Sequence, residues 1–154
     1  MSSNFIFSST PPLPRRPVRQ SLGVGGSSSE GGPKASLSIL QKLSALYRLW
    51  HDFVPNIHKS FRYTLGTKID TLMIETIEAS VLASLTKGPE KLLHIKHAST
   101  KLDLTKFFLQ TAWEAKAIDT KKYVLISEPV NEIGRMLGGW LRQTETKPNL
   151  WEVR

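Results

Sequence analysis

LQKLSALYRLWHDFVPNIHKSF, residues 40–61, is the stretch that decides the fold. Its apolar positions Leu40, Leu43, Tyr47, Trp50, Val54, Ile57 and Phe61 follow one another at gaps of 3, 4, 3, 4, 3 and 4. A helix with 3.6 residues per turn brings such positions back to one face, so the stretch predicts an α-helix that buries a single stripe. Pro55 falls inside the stripe, where it removes a backbone donor and clashes with the preceding turn. The rhythm nevertheless persists beyond it. The expectation is a kinked helix, or a helix followed by a short extra turn, ending near Ser60.

The same rhythm recurs three more times. A second helix is predicted from Thr64, a plausible N-cap, with Ile69, Met73, Ile77 and Val81 repeating at four and Leu65, Leu72, Leu82 and Leu85 widening the stripe. KGPE, residues 87–90, stops it: Gly88 suits a left-handed residue at a helix end, and Pro89 suits the first turn of the next helix. So short a link makes the second and third helices antiparallel neighbours. The third helix, about Pro89–Ala117, is apolar on two sides. Ile95, Leu102 and Leu109, with Leu92 and Trp113, form one face, while Leu93, Leu104 and Phe107 fall on roughly the opposite one. One core cannot receive both, so the second face is expected to meet another subunit or partner. A fourth helix is predicted after an N-cap at Asp119 or Thr120, with Tyr123, Ile126, Val130, Ile133, Leu137 and Trp140/Leu141 inward and a kink at Pro129. Gly134, Gly138 and Gly139 lie within it, each costing about 1 kcal/mol relative to alanine, which implies a close approach by a neighbouring group. No segment alternates with period two. The fold class is therefore all-α, an up-down-up-down antiparallel four-helix bundle.

Outside this core the composition changes. Residues 1–36 hold five of the nine prolines, five of the ten glycines and nine serines, too little apolar surface to offset the entropy of ordering them. They are expected to form a disordered basic tail, with the bundle at 37–145 and a flexible C-terminal tail at 146–154. There is no cysteine, which excludes disulfides and thiolate metal sites and fits a reducing, cytoplasmic setting. No apolar run approaches the ~20 residues of a membrane span. The net charge of +8 divides into +3 for the tail, four basic residues against Glu30, and +5 for the rest, 17 basic against 12 acidic. The folding part is thus basic in its own right, which points to nucleic acid or another acidic partner.

Signatures of catalysis are missing. Glu75 and Glu78 stand at i, i+3 without the histidine that a di-iron bundle needs, and His94 and His97 lack an acid in register to complete a metal site. No serine sits in a G-x-S-x-G turn, and the glycine-rich GVGGSSSEGG (residues 23–32) lacks the Lys-Ser/Thr ending of a phosphate loop. The expectation is a protein that is not an enzyme and uses no cofactor or metal. The basic residues say more. Lys96, Lys101 and Lys106 on the third helix, Arg62 before the second and Arg135 and Arg142 on the fourth are the candidate phosphate contacts. With no base-reading motif present, such contacts would follow backbone and shape.

Two strings carry a family resemblance. FRYTLGTKI (Phe61–Ile69) opens the second helix, and EIGRMLGGWL (Glu132–Leu141) lies in the fourth. With Pro55 in the first helix, they resemble the Avd family, the accessory variability determinant proteins of diversity-generating retroelements. That family is related to the small bundles encoded in ribosomal-RNA intervening sequences. Arg62 with Thr64-Leu65-Gly66, and Ile133-Gly134-Arg135-Met136-Leu137-Gly138-Gly139-Trp140, stand in the family's order and spacing across about residues 40–143. The long N-terminal tail and Pro129 depart from the pattern.

The resemblance implies a ring-shaped homo-oligomer, a pentamer with a basic surface, that binds the element's reverse transcriptase and its template RNA and so supports mutagenic retrohoming. It gives Leu93, Leu104 and Phe107 a role as the oligomer or partner interface, and Gly134, Gly138, Gly139 and Trp140 a role as a structural motif. Arg135 serves equally well as a packing residue or a phosphate contact, and Trp50 and Trp140 read as core anchors. The rival reading is a protein–protein adaptor that docks one partner through Leu93, Leu104 and Phe107 and binds no nucleic acid.

Overall fold

The computed structural model describes residues 33–146. Both predicted tails fall largely outside that range. Helix α1 spans Pro33–Phe53, so it begins four residues ahead of the boundary expected at 37. A 3-10 turn, Val54–Asn56, follows it, and Ile57 and His58 are extended. Helix α2 is composite: an α-turn Lys59–Phe61, a π-helical turn Arg62–Gly66, and an α-helix Thr67–Leu85. Helix α3 spans Gly88–Glu114 and α4 spans Thr120–Thr146. Each helix packs on two others, α1 on α2 and α4, and α3 on α2 and α4, which is the expected up-down-up-down order. Among the described residues there is no strand.

Pro55 has the larger of the two effects considered for it. It ends the first helix instead of kinking it. The extra turn after the break belongs to α2, which therefore starts at Lys59 and not at Thr64. His58 is its N-cap, with Nδ1 accepting from the Ser60 N–H at 3.3 Å. Thr64 lies inside the helix, its hydroxyl donating back to the Ser60 and Phe61 carbonyls.

The buried stripe of α1 is Ile39, Leu43, Leu46, Trp50 and Phe53, continued by Ile57 after the break. Three expected positions, Leu43, Trp50 and Ile57, belong to it, while Tyr47, Val54 and Phe61 flank it half-buried. The stripe is wider than one heptad seam, and its centre lies toward Leu46 and Phe53. In α2 the inward residues are Ile69, Leu72, Met73, Thr76, Ala79, Ser80 and Ala83. Val81, Leu82 and Leu85, expected inside, are exposed. The lower half of this helix presents small residues to its neighbours instead. Thr76 and Ser80 are tolerated there because their hydroxyls donate to the Leu72 and Thr76 carbonyls at 2.7 Å each. Opposite them α3 buries Ala98, Thr105 and Ala112 with Ile95, Leu102 and Leu109. Small side chains let helix axes approach, and α2/α3 is the most extensive backbone approach in the bundle.

The two inter-helix turns follow the sequence closely. Gly88 takes the left-handed φ of 63° expected of it, and Pro89 follows in the first turn of α3. Helix α3 ends at Glu114, short of Ala117, in a paired-bond stop: Lys116 N–H donates to the Trp113 carbonyl and Ala117 N–H to the Ala112 carbonyl. Lys116 occupies the left-handed position at φ 61°, where a side chain is strained. Asp119 then caps α4, its carboxylate accepting from the Lys122 N–H at 2.8 Å and from the Lys122 ammonium at 2.7 Å. Those bonds, the ammonium first, hold the Asp119 carboxyl below its ordinary pKa. Helix α4 runs on through Pro129 and buries the predicted Ile126, Val130, Ile133, Leu137 and Trp140.

Candidate nucleic-acid interface

The seam between α3 and α4 holds a basic surface feature. Lys106 projects from α3 toward α4, where position 134 is a glycine. A Cβ there would stand 2.8 Å from the Lys106 Nζ and 3.5 Å from its Cε, so the missing side chain is what seats the ammonium against the α4 backbone. One turn on, Gly138 continues the bare strip, and Arg135 and Arg142 rise beside it. Together Lys106, Asn131, Gly134, Arg135, Gly138 and Arg142 line a shallow depression of about 480 Å³. No acidic residue lines it. Among the described residues the only ion pair of Lys106 is a loose one within its own helix, 3.7 Å to Asp103. Neither Arg135 nor Arg142 has an ion pair among the described residues.

The other candidate cations are placed differently. Lys96 lies on the same seam but reaches Glu145 at 3.8 Å. Lys101 turns to the opposite side of α3 and meets Glu75 of α2 at 2.9 Å, with both side chains half-buried. Arg62 is engaged within its own chain. Its Nη2 donates to the Pro55 carbonyl at 2.9 Å and the Ile57 carbonyl at 3.1 Å, tying α2 to the break that precedes it. A guanidinium committed to its own chain in this way is a structural staple, and it stands apart from the basic seam.

Two further features had no signal in the sequence. Lys91 lies over the Trp140 ring, 5.4 Å from its centroid, adding a cation–π contact to the same seam. Trp113, assigned above to the inner face of α3, is 37% exposed and stacks on Tyr123 at 4.9 Å and 10°, with its indole N–H donating to the Thr120 hydroxyl. Trp113 and Thr120 bound a second depression at the α3–α4 turn, but Glu114 and Asp119 line it, which makes it unsuited to an anion.

The outward face of α3 is apolar, as its pattern predicted. Leu93, Leu104 and Phe107 are 65%, 39% and 63% exposed, and the exposed Val81, Leu82 and Leu85 of α2 add to the apolar surface. Against expectation an acid does stand in register with His94: Glu90, one turn earlier, lies 3.8 Å from its Nε2, yet among the described residues no three His, Asp or Glu side chains converge as metal ligands.

Residues 37–144, most of the chain and all four helices, match the family model described as bAvd-like. The chain belongs to the bAvd-like family. No curated protein and no solved structure matches it. The bAvd-like match runs through both FRYTLGTKI and EIGRMLGGWL and stops within the last turn of α4. Membership makes the chain an accessory protein of diversity-generating retroelements, from a family of accessory, non-catalytic proteins. Within this bAvd-like chain the two motifs have separate tasks: the first builds the α1–α2 junction through Arg62, and the second builds the bare, basic strip of α4. Among the described residues no helix is long and apolar enough to cross a membrane.

Proposed function

We propose that this protein assembles into a basic, ring-shaped homo-oligomer, a pentamer, that holds the retroelement's reverse transcriptase and template RNA together during mutagenic retrohoming in the cytoplasm. The observation that carries the reading is the acid-free depression on the α3/α4 seam, where Lys106, Arg135 and Arg142 converge. Phosphate groups suit it: lysine supplies a compact charge, and each guanidinium offers a planar fork to phosphate oxygens. The apolar outward face of α3, with Leu93, Leu104 and Phe107, is the surface assigned to neighbouring copies or to the reverse transcriptase. Buried there, those side chains would lose the water contact that makes their exposure unfavourable in a lone subunit.

Binding of this kind weakens steeply with salt and is tolerant of sequence. Fluorescence anisotropy with labelled RNA across a salt series, and light scattering for mass, test the two halves separately. Salt-sensitive binding by a particle of several subunits is expected. If RNA is not bound at low salt while the partner protein still is, the adaptor reading through Leu93, Leu104 and Phe107 takes its place.

A further inference from the structure

Glycine inside a helix costs about 0.8–1.0 kcal/mol relative to alanine, so each of the three in α4 requires a reason. Gly134 has one within the chain, the Lys106 ammonium lying against it. Gly138 and Gly139 have none. A Cβ on Gly138 would meet only the Arg142 Nη1, at an ordinary 3.8 Å, and one on Gly139 would meet nothing within 4 Å. Backbone conformation does not require them either, because Gly88 is the only described glycine with a positive φ. Among the described residues nothing occupies the space that the two missing side chains leave.

Around the helix, successive residues advance by about 100°, which places Arg135 and Arg142 between Gly138 and Gly139, about 40–60° from each. Two guanidinium groups that have no ion pair among the described residues are therefore flanked on both sides by bare backbone. The arginines are seven residues apart, about 10.5 Å along the axis, a spacing at which each can take its own phosphate of one strand. The helical N–H groups are already bonded within α4, so the glycines contribute steric access and not donors.

We infer that the outward face of α4 is a track for the sugar–phosphate backbone of an RNA strand. The strand lies against Gly138 and Gly139, while Arg135 and Arg142 hold two different phosphates and Lys106 adds charge from the α3 side. This assignment rests on the RNA-binding reading above and specifies where and how the strand is held. A second copy of the chain fits the track less well, since it would have to present an acidic surface to three cations.

The inference separates stability from binding in a way few sites allow. Gly138→Ala and Gly139→Ala in the full-length protein add a good helix former where no atom opposes it. Both are expected to raise the melting temperature and to weaken binding of a fluorescein-labelled single-stranded RNA about tenfold. Arg135→Ala and Arg142→Ala should each reduce the slope of log affinity against log salt by about 0.7, the contribution of one single-strand phosphate. If both alanine variants gain stability and keep full RNA affinity, the track is overturned while RNA binding itself stands. If they change the particle mass in light scattering and leave RNA affinity intact, the glycines serve contacts between copies, which also overturns it. Salt-independent or absent RNA binding by the unaltered protein would instead remove the reading on which the track rests.

Discussion

Lys101 and Lys106 are five residues apart on one helix, yet they lie on opposite seams of it and have opposite fates. Lys101 turns toward α2, where Glu75 neutralises it at 2.9 Å. Lys106 turns toward α4, where it lies against Gly134 in a depression that Arg135 and Arg142 also line, and among the described residues its one ion pair is the loose contact with Asp103. The seams differ in packing as well. The α2/α3 side is closed by small buried residues, Ala79, Ser80, Ala83 and Ala98 among them, whereas the outer edge of α3/α4 is left bare by Gly134 and Gly138. A lysine's availability to a ligand is thus decided by the facing helix more than by its own position.

Four experiments can break or sharpen that contrast. The largest effect is expected from Trp140→Ala, which empties the core beneath the basic seam. A loss of about 3–5 kcal/mol in urea unfolding is expected for so large a buried ring, and a loss under about 1 kcal/mol would show that the seam is not anchored there. Ala98→Leu overfills the closed side of α3 and should cost about 1–3 kcal/mol by the same measurement, since Ala98 is fully buried.

Asp119→Ala removes the cap that starts α4 and should cost about 1 kcal/mol near neutral pH. The folded carboxyl has a lowered pKa, so its contribution is complete above the ordinary carboxylate range and is lost as the pH falls through the lowered value. Unfolding followed from pH 7 downward should show this loss, and the Asp119→Ala protein should lack that component. The smallest stability effect is expected from Lys101→Ala. A half-exposed ion pair contributes about 0–1 kcal/mol, and RNA affinity should hardly change, whereas Lys106→Ala should weaken it severalfold. Equal losses from the two lysines would erase the distinction between the seams.

The existence of the four helices and their order were legible because each carries its own periodicity and its own stop. The inner face of α4 could be read residue by residue, as could the left-handed turn at Gly88. What could not be read was how wide each stripe is. A Leu such as Leu82 or Leu85 satisfies the pattern but is displaced outward by Ala79, Ser80 and Ala83, because tight packing of α2 on α3 admits only small residues. Arg62 was assigned by charge and placement, and its carbonyl partners arise from a chain reversal at Pro55 that no spacing encodes. The three cations of the α3/α4 depression were all visible as basic residues. Their separation from Lys101 and Lys96 depends on which acid stands opposite, a tertiary fact. Asn131 gave no signal whatever.

The π-helical turn at Arg62–Gly66 gives the bundle a sensitivity that substitution alone would not expose. Such a turn holds one residue more than an α-helical turn needs. Deleting a single residue there could still leave continuous helix, yet everything on its N-terminal side would be rotated by about 100° relative to Ile69 and the core below. Arg62 would swing away from the Pro55 and Ile57 carbonyls, and His58 would cap in the wrong direction. In this segment the number of residues is a fixed dimension of the architecture, as consequential as their chemistry, and single-residue deletions here should destabilise the bundle.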